Sequence, residues 1–417
     1  MGSGKTSAML KYALDNPEKH FLYVTPYLNE IQRVRTQSHY IFKEPQNRGE
    51  GKLAALHALL SEGKNVATTH ALFLLATSET IQLIREYEYT LILDETLDIF
   101  REYNEVVSSL DGKVVNKSDV LWLRNEGYLC VSEDYSLTWN GGYVDGFHFS
   151  EVKRLAENGN LKCIDNMLYW EYPVEVLGAF NEIYILTYMF EGSMFSSYLN
   201  MHGLEYEKLS AGKDENGQYC ICDYAEDLSQ RAEIRSLIDV YEGNYNELGS
   251  TPYAFSVNWL LKRKQEEVNS ISNVMVNYKR SQKAYARNLM WTTTKNSNFY
   301  QKLEARGFKY TRQLPKAERE MDEACLRHLR CFVPCTTRAT NDYADRTVLI
   351  YLLNRYMKPE IEKYFLAHGV PIDKEKFALS EMLQWIWRSA IRNGEPIKVF
   401  IPSSRMRNLL LDWLNAA

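Results

Sequence analysis

"MGSGKTSAML" (residues 1–10) is the stretch whose reading decides the fold. Gly4, Lys5 and Thr6 stand as the last three positions of G-x-x-x-x-G-K-[ST], a glycine-rich loop whose backbone N–H groups cradle phosphate. Helical apolar spacing follows in "SAMLKYAL" (7–14), as that loop requires on its downstream side. Gly2 and Ser3 extend the run of backbone donors, and Lys5 is placed to meet the outer phosphates of a nucleotide. The pattern's first Gly and the strand before it fall ahead of Met1, as from a start site assigned late or a truncated front. Taken alone, the stretch also reads as a chance Gly/Ser run, so the rest of the chain has to decide.

"LILDETLD" (91–98) decides it. Leu91–Leu93 form the end of a buried strand, with Asp94 and Glu95 at its carboxyl end. Phosphate chemistry with Mg²⁺ needs one carboxylate to hold the metal and a second to orient or deprotonate the attacking water. Asp94 suits the first role, joined by the Thr6 hydroxyl, and Glu95 suits the second. An acidic helix cap is the bland alternative for the pair. The two motifs in this order make a nucleotide site, with ATP and Mg²⁺ as ligands.

Around them, "HFLYVTPYL" (20–28), "NVATTHALF" (65–73), "YTLILDE" (89–95) and "NEIYILTYMF" (181–190) read as strands alternating with helical patterns. Such alternation predicts parallel βαβ units that bind ligands at the carboxyl ends of their strands. Residues from about 104 to 170 break the rhythm and read as an insertion of helix, hairpin and Gly-Gly turn. "SAGKDENGQYC" (210–220) reads as a linker. Beyond it "YAFSVNW" (253–259), "NLMWTTTK" (288–295), "RCFVPCTTR" (330–338), "TVLIYLLNRY" (347–356) and "IKVFIPSS" (397–404) read as strands of a second α/β domain. The division is 1–209 and 221–417.

With 417 residues and 45% hydrophobic content, the chain can build two such cores. A net charge of −5 excludes a cationic nucleic-acid coat, so nucleic-acid contact has to come from a local patch. Residues 255–312 hold twelve Lys and Arg against three acids, with Tyr278, Tyr285, Trp291 and Tyr300 interleaved for base stacking. Lys279, Arg280 and Lys283 are its candidate phosphate contacts, against the plainer reading of a solvated basic helix. Seven scattered cysteines fit a reducing cytoplasm, and no apolar run is long enough for a membrane span. Cys325, His328, Cys331 and Cys335 lack the paired spacing of a zinc site.

"LQWIWRSAIR" (383–392) reads as one helix, on which Gln384, Arg388 and Arg392 recur every four residues along a stripe. Fixed arginines beside a phosphate stabilise charge on the transferred group. "VPCTTRATNDYADR" (333–346) supplies Thr, Arg and Asn donors after an apolar run, or simply a polar turn.

The order GSGKT, TPYLNEIQR, TTHALF, LILDET, ILTYMF, VPCTTRATNDY, QWIWRSAIR resembles the superfamily 2 DEAD/DEAH-box-like helicases, particularly the compact form of bacteriophages of Gram-positive hosts. The resemblance implies two RecA-like domains with nucleotide in the cleft between them. It implies ATP-driven movement on nucleic acid, DNA favoured over RNA, in the host cytoplasm with phage replication proteins as partners. Thr25, Thr69, His70, Arg338 and Thr340 would lie along the nucleic-acid path, and Leu186-Thr187-Tyr188 would couple hydrolysis to movement. Arg388 keeps the family's offset from Gln384 and would be the finger; Arg392 lies four residues on, where the family has three. A packaging motor, or a nucleic-acid-binding module with a dead ATPase, is the rival reading.

Overall fold

A computed structural model describes the chain except residues 1–3, 48, 108–111, 113, 142–147, 226–227, 296, 311–315, 317–319, 322–325, 338–341 and 417. The chain forms two compact units. One holds Ser3–Tyr224 with Lys358–Ile372, the other Ala225–Met357 with Asp373–Ala417.

The first unit opens with helix α1 (Lys5–Asp15), then strands β1 (Phe21–Thr25), β2 (Val66–Thr69) and β3 (Thr90–Asp94). The inserted segment adds β4 (Phe100–Glu102), β5 (Glu105–Val107), β6 (Val114–Asn116), β7 (Leu129–Val131), β8 (Leu137–Trp139), β9 (Leu161–Ile164) and β10 (Met167–Glu171). β11 (Glu182–Leu186), β12 (Leu209–Lys213) and β13 (Tyr219–Asp223) complete it. The main sheet is parallel with order β11-β3-β1-β2.

Strand parity sorts its side chains between two cores. Phe21, Tyr23 and Ile92 pack with Met9, Leu10 and Ala13 of α1. Leu22, Val24, Leu91 and Leu93 pack on the opposite face with Leu56, Leu60 and Ile84. Because successive strand residues alternate faces, Asp94 shares the α1 face with Ile92, and Thr25 shares it with Tyr23.

The insertion's antiparallel sheet, β4-β10-β9, starts earlier and ends later than the 104–170 read from sequence. Its helix Lys117–Asn125 and hairpin β7–β8 follow the expected order. The polar stretch expected as a linker is instead the β12–β13 hairpin. Asp214 closes its turn by accepting from the backbone N–H groups of Asn216 and Gln218.

The segment Lys358–Ile372 is set within the sequence of the second unit yet packs in the first. The Tyr364 ring lies 4.3 Å from Phe100 and 4.9 Å from Tyr169. Its hydroxyl donates to the buried Glu171 carboxylate, which also meets His202 Nε2 at 3.1 Å. Tyr364→Phe is expected to cost about 1.5 kcal/mol, the low end for a bond to a charged group because His202 remains. A drop in the urea midpoint of the first unit checks it.

The second unit carries β14 (Ile238–Val240), β15 (Leu289–Thr292), β16 (Val348–Tyr351) and β17 (Ile397–Phe400), all parallel, in the order β14-β17-β16-β15. Two expected strands are absent. "YAFSVNW" turns into the helix Val257–Leu261, because Ser256 caps it by accepting from Trp259 N. "RCFVPCTTR" makes only isolated bridges among the described residues, Arg330 to Tyr310 and Phe332 to Trp291. Pro334, two residues on, has no N–H with which to extend the ladder.

Candidate phosphate and metal site

Gly4 caps α1 in the left-handed region at φ 79°. A Cβ there would also run into the Tyr219 ring. Only Gly satisfies both the backbone turn and that contact. No acid lies in the first turn of α1 itself, so the helix's own side chains do not offset the positive end of its dipole. Gly2 and Ser3 lie outside the described residues.

Lys5 begins α1. Burial pushes its ammonium pKa down, while Glu95 and Asp94 pull it back up, so all three charges share one locale. Asp94 ends β3 with its pKa raised to about 7, first by burial and then by the neighbouring Glu95. Arg33, itself paired to Glu30 at 2.7 Å, works in the opposite direction. Glu95 sits at φ 63°, left-handed without being Gly, with its N–H donating to Leu186 O at 3.2 Å. Such a backbone costs on the order of 1 kcal/mol and gathers at functional sites.

Three buried hydroxyls flank this strand end. Tyr23 Oη, Thr25 Oγ1 and Thr187 Oγ1 make no hydrogen bond with good geometry among the described residues. The Tyr23 hydroxyl faces Thr6 and Asp94. A carboxylate whose charge burial opposes, next to a hydroxyl and few other ligands, fits Mg²⁺, which keeps water and substrate phosphate in its shell. Among the described residues no group of three His, Cys, Asp or Glu could cage a metal alone. Cys331 is buried with its thiol pushed up to about 12, as in a packed core. Cys325 lies outside the described residues.

Residues 232–414 match the family described as the YonV C-terminal Rossmann-like domain. Over 425 residues the chain is 35% identical to the SPbeta prophage-derived protein YonV of Bacillus subtilis (strain 168), covering 99% of this chain and 97% of that one. The chain belongs to the YonV family.

Among solved structures, "XPD_APO" superposes with a TM-score of 0.53 at 13% identity, covering 98% of this chain and 93% of that one. "XPD_Helicase" gives 0.50 at 12% identity, covering 100% and 94%. The fold of this YonV-family chain is therefore helicase-like. Among the described residues no helix is long and apolar enough to cross a membrane.

The other expected site residues are placed unevenly in the YonV-family chain. Thr25 is fully buried, which leaves it no surface to offer a nucleic-acid strand. Thr69 Oγ1 caps a short helix by accepting from Leu72 N at 3.3 Å. His70 Nε2 lies 2.9 Å from the Asp94 carbonyl, so this ring ties the end of β2 to the acidic pair. Arg338 and Thr340 lie outside the described residues. Lys279 is half-buried and structural: its ammonium donates to Gly307 O at 2.9 Å and stands 4.8 Å over the Phe308 ring. Arg280 and Lys283 are exposed.

The single helix expected over 383–392 is corrected. The helix Lys374–Ile386 ends at Trp387, and Ala390–Asn393 is a separate 3₁₀ turn. Ser389 takes an extended backbone, with its hydroxyl on Ile386 O at 2.6 Å and Ala390 N on Arg346 O. Gln384, Arg388 and Arg392 therefore share no stripe. Gln384 is half-buried, Arg388 is buried and Arg392 is exposed. Tyr23 and Arg33 escape sequence reasoning, since one is an apolar-run tyrosine and the other a surface arginine until β1 and β3 are paired.

Proposed function

We propose that this protein is an ATP-hydrolysing, nucleic-acid-dependent motor of the superfamily 2 helicase type, encoded by a phage or prophage. The observation that carries the reading is the meeting of Lys5, on a Gly-initiated helix, with Asp94 and the left-handed Glu95 at the carboxyl end of a parallel strand. In this reading Gly4 and the first N–H groups of α1 hold phosphate, and Lys5 neutralises the outer phosphate oxygens. Thr6 and Asp94 would hold Mg²⁺, which when bound supplies charge neutralisation of the phosphates. Glu95 orients the attacking water and takes its proton. His70, bonded to the Asp94 carbonyl, positions the strand end and links it to the segment after β2. Arg388 remains the proposed finger and Gln384 its neighbour, with Arg392 secondary.

Phosphate release measured with and without single-stranded DNA or RNA tests the proposal. Stimulation by nucleic acid, stronger for DNA, supports it. Nucleic-acid binding with no turnover would leave the binding-module reading instead.

The basic segment carries a separate expectation. Arg280→Ala with Lys283→Ala should reduce the slope of log affinity against log salt by up to about 1.4 on single strands, two phosphates at ~0.7 each. Lys279→Ala should instead lower thermal stability, since its ammonium holds the Gly307 carbonyl. Titrations at several salt concentrations check the slope; an unchanged slope returns Arg280 and Lys283 to ordinary surface.

A further inference from the structure

A groove of about 540 Å³ opens on the second unit, which does not contain Lys5. The helix Gln265–Ser281 gives it Asn269 and Asn273, four residues apart and so on one face. The helix Asn298–Leu303 and the turn after it give Lys302, Ala305 and Arg306. The acceptors among these side chains are already engaged. Arg306 Nη1 donates to Asn273 Oδ1 at 2.7 Å, which leaves that amide its NH₂ group. Asn269 Oδ1 accepts from Gln265 Nε2 at 3.3 Å, which leaves the same group there. Lys302 brings its ammonium donors, and Arg306 keeps Nε and Nη2.

Cations collect here without acids to balance them. Lys279 stands beside the same turn, its ammonium donating to Gly307 O, the residue after Arg306. Among the described residues Lys279, Lys302 and Arg306 have no carboxylate within ion-pair reach. The acids nearest in sequence are taken elsewhere. Glu304 accepts from the Tyr300 hydroxyl at 2.7 Å and does not line the groove. Glu267 pairs with Arg263 at 2.7 Å. Like charges held together without a counter-ion raise the local potential and draw in an anion.

We propose that this groove is a phosphate-binding site, separate from the one at Lys5, which takes a phosphate of a nucleic-acid strand or of a free nucleotide. The donors select phosphate over carboxylate. They reach the groove from two elements, and a phosphate group turns several acceptor oxygens in different directions, whereas a carboxylate has two in one plane. Asn273 pins the Arg306 guanidinium before any ligand arrives, so less freedom is lost on binding. The volume lies within the range of roughly 300–1,000 Å³ usual for small-molecule sites, which leaves space for the sugar next to the phosphate. The inference stands on the groove and not on hydrolysis, so it survives or fails apart from the ATPase reading.

The test is hydrogen exchange of the full chain at residues 265–281 and 298–308, with ADP or an oligothymidylate as probe at matched ionic strength. Amides around the groove are expected to exchange about 10-fold more slowly with a probe at about ten times its dissociation constant. Lys302→Gln combined with Arg306→Gln should remove that protection. Arg306→Lys keeps the charge and should retain part of it, so the loss in the double variant is not unfolding. Protection by ADP assigns the phosphate to a free nucleotide, and protection by the oligothymidylate alone assigns it to a strand; either supports the proposal. No protection of these segments by either probe overturns it, as does protection that the double variant keeps. Protection by polyglutamate and by neither phosphate probe assigns the groove to an acidic peptide and also overturns it.

Discussion

Lys5→Ala is expected to reduce ATP turnover by at least about 10³-fold, the scale of removing a charge that meets the transferring phosphoryl group. Lys5 shares its locale with two acids, so its loss also leaves Asp94 and Glu95 facing each other without their cation. Nucleotide affinity should fall with turnover. Glu95→Gln should behave differently: nucleotide and Mg²⁺ still bind through Lys5, Thr6 and Asp94, while turnover drops by about 10²–10⁴-fold. Gln keeps the size and the left-handed backbone of Glu95, so the fold is unchanged and only the proton acceptor is lost. Single-turnover hydrolysis alongside binding of a fluorescent nucleotide separates the two. Equal loss of binding in both variants would contradict this division of roles.

Asp94→Asn is expected to make the protein more stable at pH 8 while removing Mg²⁺-dependent turnover. The Asp94 carboxyl ordinarily titrates near 3.8 and is raised to about 7 in the fold, by burial first and by Glu95 second. The folded chain therefore holds this proton more tightly than the unfolded chain does. Stability declines as pH rises from about 4 to about 7, and above 7 the full penalty of the buried charge is carried. The ceiling on that penalty is about 4 kcal/mol, and relaxation around the site brings the expected gain for Asn to about 2–3 kcal/mol at pH 8. Near pH 4 the gain should vanish. Urea unfolding without divalent cations, run across that pH range, checks it. A parallel pH dependence in both proteins would show that Asp94 is not the group responsible. Stability withheld at a site that must bind a cation is the usual trade between function and folding.

Much of this was legible in the sequence because it depends on local order. The runs read as strands around 21–25, 66–69, 90–94 and 182–186 are rich in apolar and β-branched residues, and each holds a strand of the main sheet. Gly4 through Thr6 and Asp94 with Glu95 are read from spacing and residue type, and in the fold both acids act on the Lys5 charge. The sequence also misled where a local pattern was overruled. Residues 383–392 have helical spacing, yet Ser389 bonds back to the Ile386 carbonyl and ends the helix before Arg388. Residues 210–220 are polar enough for a linker, yet Ile221 joins the α1 core and Asp214 closes a turn, so a hairpin forms. Lys279 belongs to a basic run, but a carbonyl 28 residues away holds it.

By itself, the sequence determined the class of sheet, the order of the motifs and the residue types at the acidic pair, all consequences of short-range periodicity and composition. Tertiary structure alone decided that Tyr23 faces Asp94 and Thr6, that His70 grips the Asp94 carbonyl, and that 358–372 packs against the insertion. It also decided that β11 ends the sheet order among the described residues and lines one cavity together with Lys5. These depend on which strands lie side by side, a choice made by contacts between residues tens to hundreds of positions apart, and no window of neighbouring residues contains it.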